Sequence, residues 1–179
     1  MDEKRGRFEA QVMPHLDAAY RFARWLARSP GEADDVVQEA FLRAFRAFDS
    51  LRGGDVKAWL LAIVRNCHAS AQRQAQRRVF VPLPEEHEAG ASLSDAAPGP
   101  EQSSIDGDER RRLERLIDTL APEHREVLLL REMEDLSYRE IASVTQLPIG
   151  TVMSRLARAR AALRAGWLGD SAGVPHAVP

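Results

Sequence analysis

Cysteine is nearly missing from this chain: among 179 residues there is one, Cys67. A single thiol excludes an intramolecular disulfide framework and suits a reducing compartment; Cys67 itself reads as a small buried residue. Long apolar runs are missing as well, so no segment is predicted to span a bilayer. The start, Met1-Asp2-Glu3-Lys4-Arg5, leads into an amphipathic helix and lacks the apolar core of a signal peptide. The expectation is a soluble cytoplasmic protein with no membrane contact of its own. A strong charge of one sign is also lacking. Net charge is −2, so any binding of nucleic acid must come from local patches. Catalytic groupings are absent too: His15, His68, His87, His124 and His176 show no metal-ligand spacing. There is no phosphate-cradling glycine loop and no nucleophile–base signature. Neither a metal, a cofactor nor an enzymatic activity is expected.

What remains is helix. No strand signal and no internal repeat occurs, which predicts an all-α chain of two small helical domains. The first helix places Val12, Leu16, Ala19, Tyr20, Ala23 and Leu26 on one side, with Pro14 near its start. Ser29-Pro30-Gly31-Glu32 supplies a cap, a first-turn proline and a third-position glutamate for a second helix. It runs through Val36, Val37, Ala40, Phe41, Ala44, Phe45 and Phe48. Residues 49–55 form a loop marked by Gly53 and Gly54. A third helix carries Val56, Leu60, Ile63, Val64, Cys67 and Ala71 as its apolar positions. Between Val79 and Glu109 the sequence has no Lys or Arg but several acids, among them Glu85, Glu86, Glu88 and Asp95, with prolines at 82, 84, 98 and 100. This predicts a flexible acidic linker. Helical pattern resumes at Leu113, Pro122 opens a further helix, and residues 169–179 read as a frayed tail.

The richest segment covers residues 136–156. Ser137 and Glu140 form a capping box for one helix. Thr145-Gln146-Leu147 interrupts the pattern, and Pro148 suits the first position of the next helix. There Val152, Leu156, Ala159 and Leu163 face inward, while Thr151, Ser154, Arg155 and Arg158 face outward. Two helices joined by a tight turn, the second with a basic outer face, are how a helix-turn-helix offers side chains to the major groove. Gly150 weakens its helix by roughly 1 kcal/mol relative to alanine, which suits a close approach of backbone to phosphate.

Two other helices carry chemistry. In the second, Asp34, Asp35, Gln38, Glu39 and Leu42 occur with no basic residue between Glu32 and Leu42. Carboxylates near a helix start favour the macrodipole, so a solvated face and a dock for a basic groove are equally good readings. In the third, Arg65, Arg73, Arg77 and Arg78 occur with no acid from Ala58 to Pro84. With Lys57 and Trp59 beside a glycine-bearing loop, this suits a nucleic-acid strand; for Trp59 alone, the core is the competing reading.

These motifs together resemble the sigma-70 family of RNA polymerase sigma factors, in its small two-domain extracytoplasmic-function (ECF) group. In the first block the carriers are Glu32-Ala33-Asp34-Asp35-Val36-Val37-Gln38-Glu39-Ala40-Phe41-Leu42-Arg43-Ala44-Phe45 and Ala58-Trp59-Leu60-Leu61-Ala62-Ile63-Val64-Arg65-Asn66. In the second they are Arg125-Glu126-Val127-Leu128-Leu129-Leu130-Arg131, Leu136-Ser137-Tyr138-Arg139-Glu140-Ile141-Ala142 and Gly150-Thr151-Val152-Met153-Ser154-Arg155-Leu156. The resemblance implies a region 2-like domain over 8–78, the acidic linker over 79–108, a region 4-like helix-turn-helix domain over 109–168 and a tail over 169–179. It implies that Asp34, Asp35, Gln38, Glu39 and Leu42 grip core RNA polymerase. Leu51, Arg52, Lys57, Trp59, Arg65, Asn66 and Arg73 then match the part that opens and reads the promoter −10 element, by capture of an unstacked base. Tyr138, Arg139, Thr151, Met153, Ser154, Arg155 and Arg158 match the reader of the −35 element. The linker matches a connector near the RNA exit path; a solvated tether is the other reading.

Two positions depart from the family pattern. Met153 stands where Lys or Arg is common, and Gln146 where glycine is common, which requires a left-handed glutamine or a different turn. The partners implied are core RNA polymerase, promoter DNA and an anti-sigma factor. The alternatives are a sigma-like protein that sequesters an anti-sigma factor and a stand-alone helix-turn-helix regulator. The first would not need the arginines of the third helix; the second would not need the surface from Asp34 to Leu42.

Overall fold

The computed structural model describes residues 2–51, 53–79 and 105–171. These form eight α-helices, with no strand among the described residues. They are α1 (Asp2–Val12), α2 (Leu16–Leu26), α3 (Pro30–Ala47), α4 (Val56–Val79), α5 (Ile105–Asp118), α6 (Pro122–Glu132), α7 (Tyr138–Thr145) and α8 (Ile149–Ser171). Arg52, most of the acidic linker and residues 172–179 lie outside the described residues.

Local chemistry sets the helix ends. At α3 the Ser29 hydroxyl accepts from the Glu32 amide at 3.2 Å, Pro30 occupies the first turn, and the Glu32 carboxylate accepts from the Arg28 amide at 2.8 Å. The Glu32 amide, which a helix start leaves unpaired, is thereby satisfied, and the Arg28 amide just before the cap is held as well. A tight helical turn at Phe48–Ser50 ends the helix. Gly53 and Gly54 follow at φ +68° and +93°, a region that favours glycine. Asp55 then caps α4, accepting from the Ala58 amide at 2.7 Å.

Helices α2, α3 and α4 pack together around Phe22, Val36, Leu60, Leu61 and Val64. The apolar side of α2 differs from the sequence expectation. Leu16 and Tyr20 are 37% and 40% exposed, whereas Ala18, Ala19, Phe22 and Ala23 face inward. This segment carries two overlapping apolar stripes at helical spacing, and the one with small alanines allows close approach to α3 and α4. Pro14 lies in a short helical turn, Met13–His15, that separates α2 from a distinct α1. Helix α1 is fastened by Phe8, which meets Phe41, Phe45 and Phe48 edge-on with ring centroids 6.4, 5.2 and 5.4 Å away. Edge-to-face rings gain about 0.5–1.5 kcal/mol per pair beyond burial.

In the second half α8 packs on α5, α6 and α7. Val127, Leu128, Leu129 and Leu130 are all buried, because α6 has neighbours on more than one side: α7 and α8, and also α2. Helix α5 begins at Ile105, inside the stretch expected as linker. Acids such as Asp108 and Glu109 near its start suit a helix N-terminus as well as a solvated tether. Helix α8 runs to Ser171, past the expected end at 168. A Cβ on its Gly166 would lie 2.7 Å from Leu116 Cδ2, so the glycine sets how closely α5 sits against α8. The two halves meet where α4 packs on α7 and α2 on α6.

Candidate nucleic-acid interface

The helix-turn-helix is built by its caps. Ser137 accepts from the Glu140 amide at 3.3 Å while Glu140 accepts from the Ser137 amide at 2.7 Å. Helix α7 ends on Gln146 in the left-handed region, φ +58°. The turn common to such motifs is therefore kept, with glutamine in the place glycine would take. Its side-chain amide donates to the Ser143 carbonyl at 2.6 Å, which offsets part of the strain. Pro148 stands one residue before α8, not at its first position, and its carbonyl accepts from the amides of Thr151 and Val152.

Helix α8 buries Val152, Leu156 and Ala159. Met153, Ser154 and Arg158 are exposed on the other side, while Thr151 and Arg155 are half-buried on its flank. Arg139 is exposed on α7. Among the described residues no carboxylate lies against Arg139, Arg155 or Arg158. Tyr138 is half-buried instead: the Arg131 guanidinium stands 5.5 Å from its ring, and hydrogen bonds to Glu132 and, second, to the Tyr138 phenol raise the pKa of Arg160. Its first role is to hold α6, α7 and α8 together.

On α3 the sequence candidates divide. Asp34, Asp35 and Gln38 are exposed, and Leu42 beside them is 49% exposed, opposite a buried row of Ala33, Val36, Val37, Ala40 and Ala44. Glu39 turns toward α4, half-buried, and accepts from Arg43 Nε at 2.6 Å. That hydrogen bond raises the Arg43 pKa. An apolar side chain left open among carboxylates fits a partner that is itself part basic and part apolar.

The −10 candidates fall on α4 and the loop before it. Leu51, Lys57, Trp59 and Arg65 are half-buried; Asn66 and Arg73 are exposed, and Arg73 donates to the Ala69 carbonyl and the Ser70 hydroxyl. Trp59 packs against the core cluster without being swallowed by it. Two of the basic side chains are occupied by the other half of the chain. Lys57 Nζ lies 2.9 Å from the Glu134 carboxylate and donates to the Glu134 carbonyl at 2.7 Å. Arg21 from α2 joins the same carboxylate with two N–H groups, each at 3.2 Å. Glu134 is 2% exposed. Arg65 Nε meets Glu126 at 2.6 Å. Glu134 was not among the sequence candidates; its partners are distant in the chain, and nothing local marks it.

Between the halves lies a cavity of about 690 Å³ lined by Arg28, Arg65, His68, Arg125, Glu126 and Arg155, among others. His68 is 8% exposed and its Nδ1, 3.6 Å from Glu32, has no hydrogen-bond partner among the described residues. Burial pushes its pKa below the ordinary value, against the pull of Glu32. Cys67 is buried, and burial raises its thiol pKa. Among the described residues no group of three or more His, Cys, Asp or Glu could hold a metal, and no helix is long and apolar enough to cross a membrane.

Residues 11–78 match the family model for sigma-70 region 2, and residues 110–163 the model for sigma-70 region 4. The chain is 34% identical over 153 residues to the ECF RNA polymerase sigma factor SigE of Mycolicibacterium smegmatis, an alignment covering 86% of this chain and 58% of that protein. It is 37% identical over 139 residues to the ECF RNA polymerase sigma-E factor of Escherichia coli, covering 74% of this chain and 72% of that one. The fold superposes on the sigma factor RpoE, solved in complex with the anti-sigma factor NepR from Bartonella quintana. That match has a TM-score of 0.69 at 27% identity and covers 90% of this chain and 96% of RpoE. With both family models matched in order, and relatives of this identity, the chain belongs to the sigma-70 family, in its ECF group.

Proposed function

We propose that this chain docks on core RNA polymerase, brings it to a promoter and stabilises the opened DNA. Asp34, Asp35, Gln38 and Leu42 form the outward polymerase-facing surface, with Glu39 positioned behind them by Arg43. Leu51, Arg52, Lys57, Trp59, Arg65, Asn66 and Arg73 engage the −10 element, and the helix-turn-helix engages the −35 duplex. The observation that carries this reading is the helix-turn-helix whose Arg139, Arg155 and Arg158 have no carboxylate against them among the described residues, in one chain with the acid-and-apolar face of α3. The chain works without a cofactor and without catalysis of its own, in the cytoplasm where polymerase works. The RpoE complex supports an anti-sigma factor as a further partner.

On this reading the packed arrangement is not the promoter-bound one. Elements about 25 base pairs apart are separated by roughly 85 Å along B-DNA. A compact body of this many residues has a radius of gyration of about 16 Å. Both readers reach their elements only if the halves separate, which frees Lys57 and Arg65 from Glu134 and Glu126.

Run-off transcription with core polymerase and a promoter library tests the function. Arg155→Ala with Arg158→Ala lowers output from −35-dependent promoters, each specific contact being worth about 1–3 kcal/mol. Asp35→Lys with Gln38→Ala weakens capture of core polymerase. Unaltered transcription and capture by these variants would reject the assignment, and tight sequence-specific duplex binding by the free chain would favour a stand-alone regulator.

A further inference from the structure

The exposed side of α8 is poor in hydrogen-bonding side chains near its start. Gly150, Met153, Ser154 and Ala157 are all exposed there, and the arginines stand to the side or further along. The Ser154 hydroxyl donates to the Thr151 carbonyl in its own helix at 2.9 Å, so its one proton is engaged. Met153 is 52% exposed and Ile149, one turn before it, 42%. Two large apolar side chains held in water on a basic helix contribute nothing to the core they point away from. Nor does Gly150 serve the fold: a Cβ there would meet nothing within 4 Å, and its φ is not in the positive range. Its missing side chain leaves room for something outside the chain.

The first residues of a recognition helix meet the base edges in the major groove. The apolar feature available there is the 5-methyl group of thymine. We propose that Met153 is a specificity-determining residue that reads a thymine methyl in the upstream promoter element, with Gly150 and Ala157 keeping the helix close enough for contact. This deepens the function proposed above and rests on it. The chemistry differs from that of a lysine or arginine at this position, which would donate hydrogen bonds to guanine. Met153 contributes preference by shape and dehydration, and Arg155 and Arg158 supply the attraction to phosphate.

Replacing single thymines by deoxyuridine removes the methyl group and leaves the pairing edge intact. Transcription would be measured with reconstituted holoenzyme on a −35-dependent promoter, with each thymine of the upstream element replaced in turn. Burying one methyl is worth about 0.8 kcal/mol, so one or two positions should lose about three- to fivefold in competitive initiation. Met153→Ala should lose a comparable amount on thymine and become indifferent to the deoxyuridine change at those positions. Met153→Lys should move the preference toward guanine. Met153 is exposed and outside the core, so these variants keep the fold, and thermal melting checks it. Wild type that tolerates deoxyuridine everywhere, or Met153→Ala that stays as sensitive as wild type, overturns the methyl reading while leaving the function intact. Holoenzyme indifferent to the whole upstream element overturns both.

Discussion

Glu134→Gln is the sharpest probe of the contact between the halves. Glutamine keeps the shape but removes the charge that Lys57 meets at 2.9 Å and Arg21 meets through two N–H groups at 3.2 Å. The carboxylate side chain is 2% exposed, but Lys57 and Arg21 are 24% and 48% exposed. Their charges can therefore recover part of their hydration once unpaired. The cost falls between the 3–5 kcal/mol of breaking a fully buried pair and the ~1 kcal/mol or less of an exposed one. About 2 kcal/mol shifts the closed-to-open ratio by roughly thirtyfold. Small-angle scattering on the full chain should show a larger radius of gyration for the variant than for wild type at equal salt. A labelled single strand carrying a −10 sequence should bind the variant more tightly. Arg65–Glu126 remains as an internal control, since Glu126→Gln adds to the effect if the two contacts are independent. An unchanged radius together with unchanged strand binding would mean that the apolar contact of α4 with α7 holds the halves alone, and would refute the carboxylate lock.

Gly150→Ala should have opposite effects on fold and function. A Cβ there meets nothing within 4 Å and alanine is the better helix former by up to about 1 kcal/mol, so the melting temperature rises, while −35-dependent initiation falls; a rise in both would contradict a close DNA approach. His68 sets an acid-side dependence of stability. Burial holds its folded-state pKa below the ordinary value, so the unfolded chain takes up the proton first as pH falls below about 6.5. Stability is therefore full above that value and declines as pH drops toward the lowered folded-state pKa; urea titrations between pH 5 and 8 should show this slope flattened in His68→Gln.

Legibility in the sequence followed the range of the interaction. Caps and turns are local, and Ser29, Glu32, Ser137 and Glu140 sit where their spacing predicts. For Gln146 spacing left two options, and the structure takes the left-handed one. Helix faces were less secure where several apolar residues compete. In α2 the pattern alone could not rank Leu16 and Tyr20 against Phe22, because which stripe turns inward depends on what α3 and α4 present. Phe8 was missed for a similar reason: its partners are three phenylalanines of α3 and the turn after it. The site was readable as a set of residues but not as an arrangement. That Lys57 and Arg65 are matched to Glu134 and Glu126 is a property of the assembled halves, and no periodicity encodes it.

Given the docking and −10 roles proposed above, that arrangement implies an order of events. In the closed form the outward face of α3 is open, with Asp34, Asp35 and Gln38 exposed, while Lys57 and Arg65 are engaged. Polymerase can therefore meet α3 without first displacing the second half, whereas DNA meets basic side chains already holding carboxylates. A partner shifts a two-state balance only by the difference in its affinity for the two states. Polymerase, once seated on α3, needs to favour the open form by only the few kilocalories the contact is worth, and promoter DNA then finds Lys57 and Arg65 released. Stopped-flow mixing of the labelled full chain with core polymerase separates the steps. Glu134→Gln should leave the bimolecular association rate within about twofold and accelerate the slower concentration-independent phase by up to the thirtyfold worked out above. If it accelerates the bimolecular phase instead, opening precedes docking, and the closed form guards the polymerase surface as well as the DNA surface.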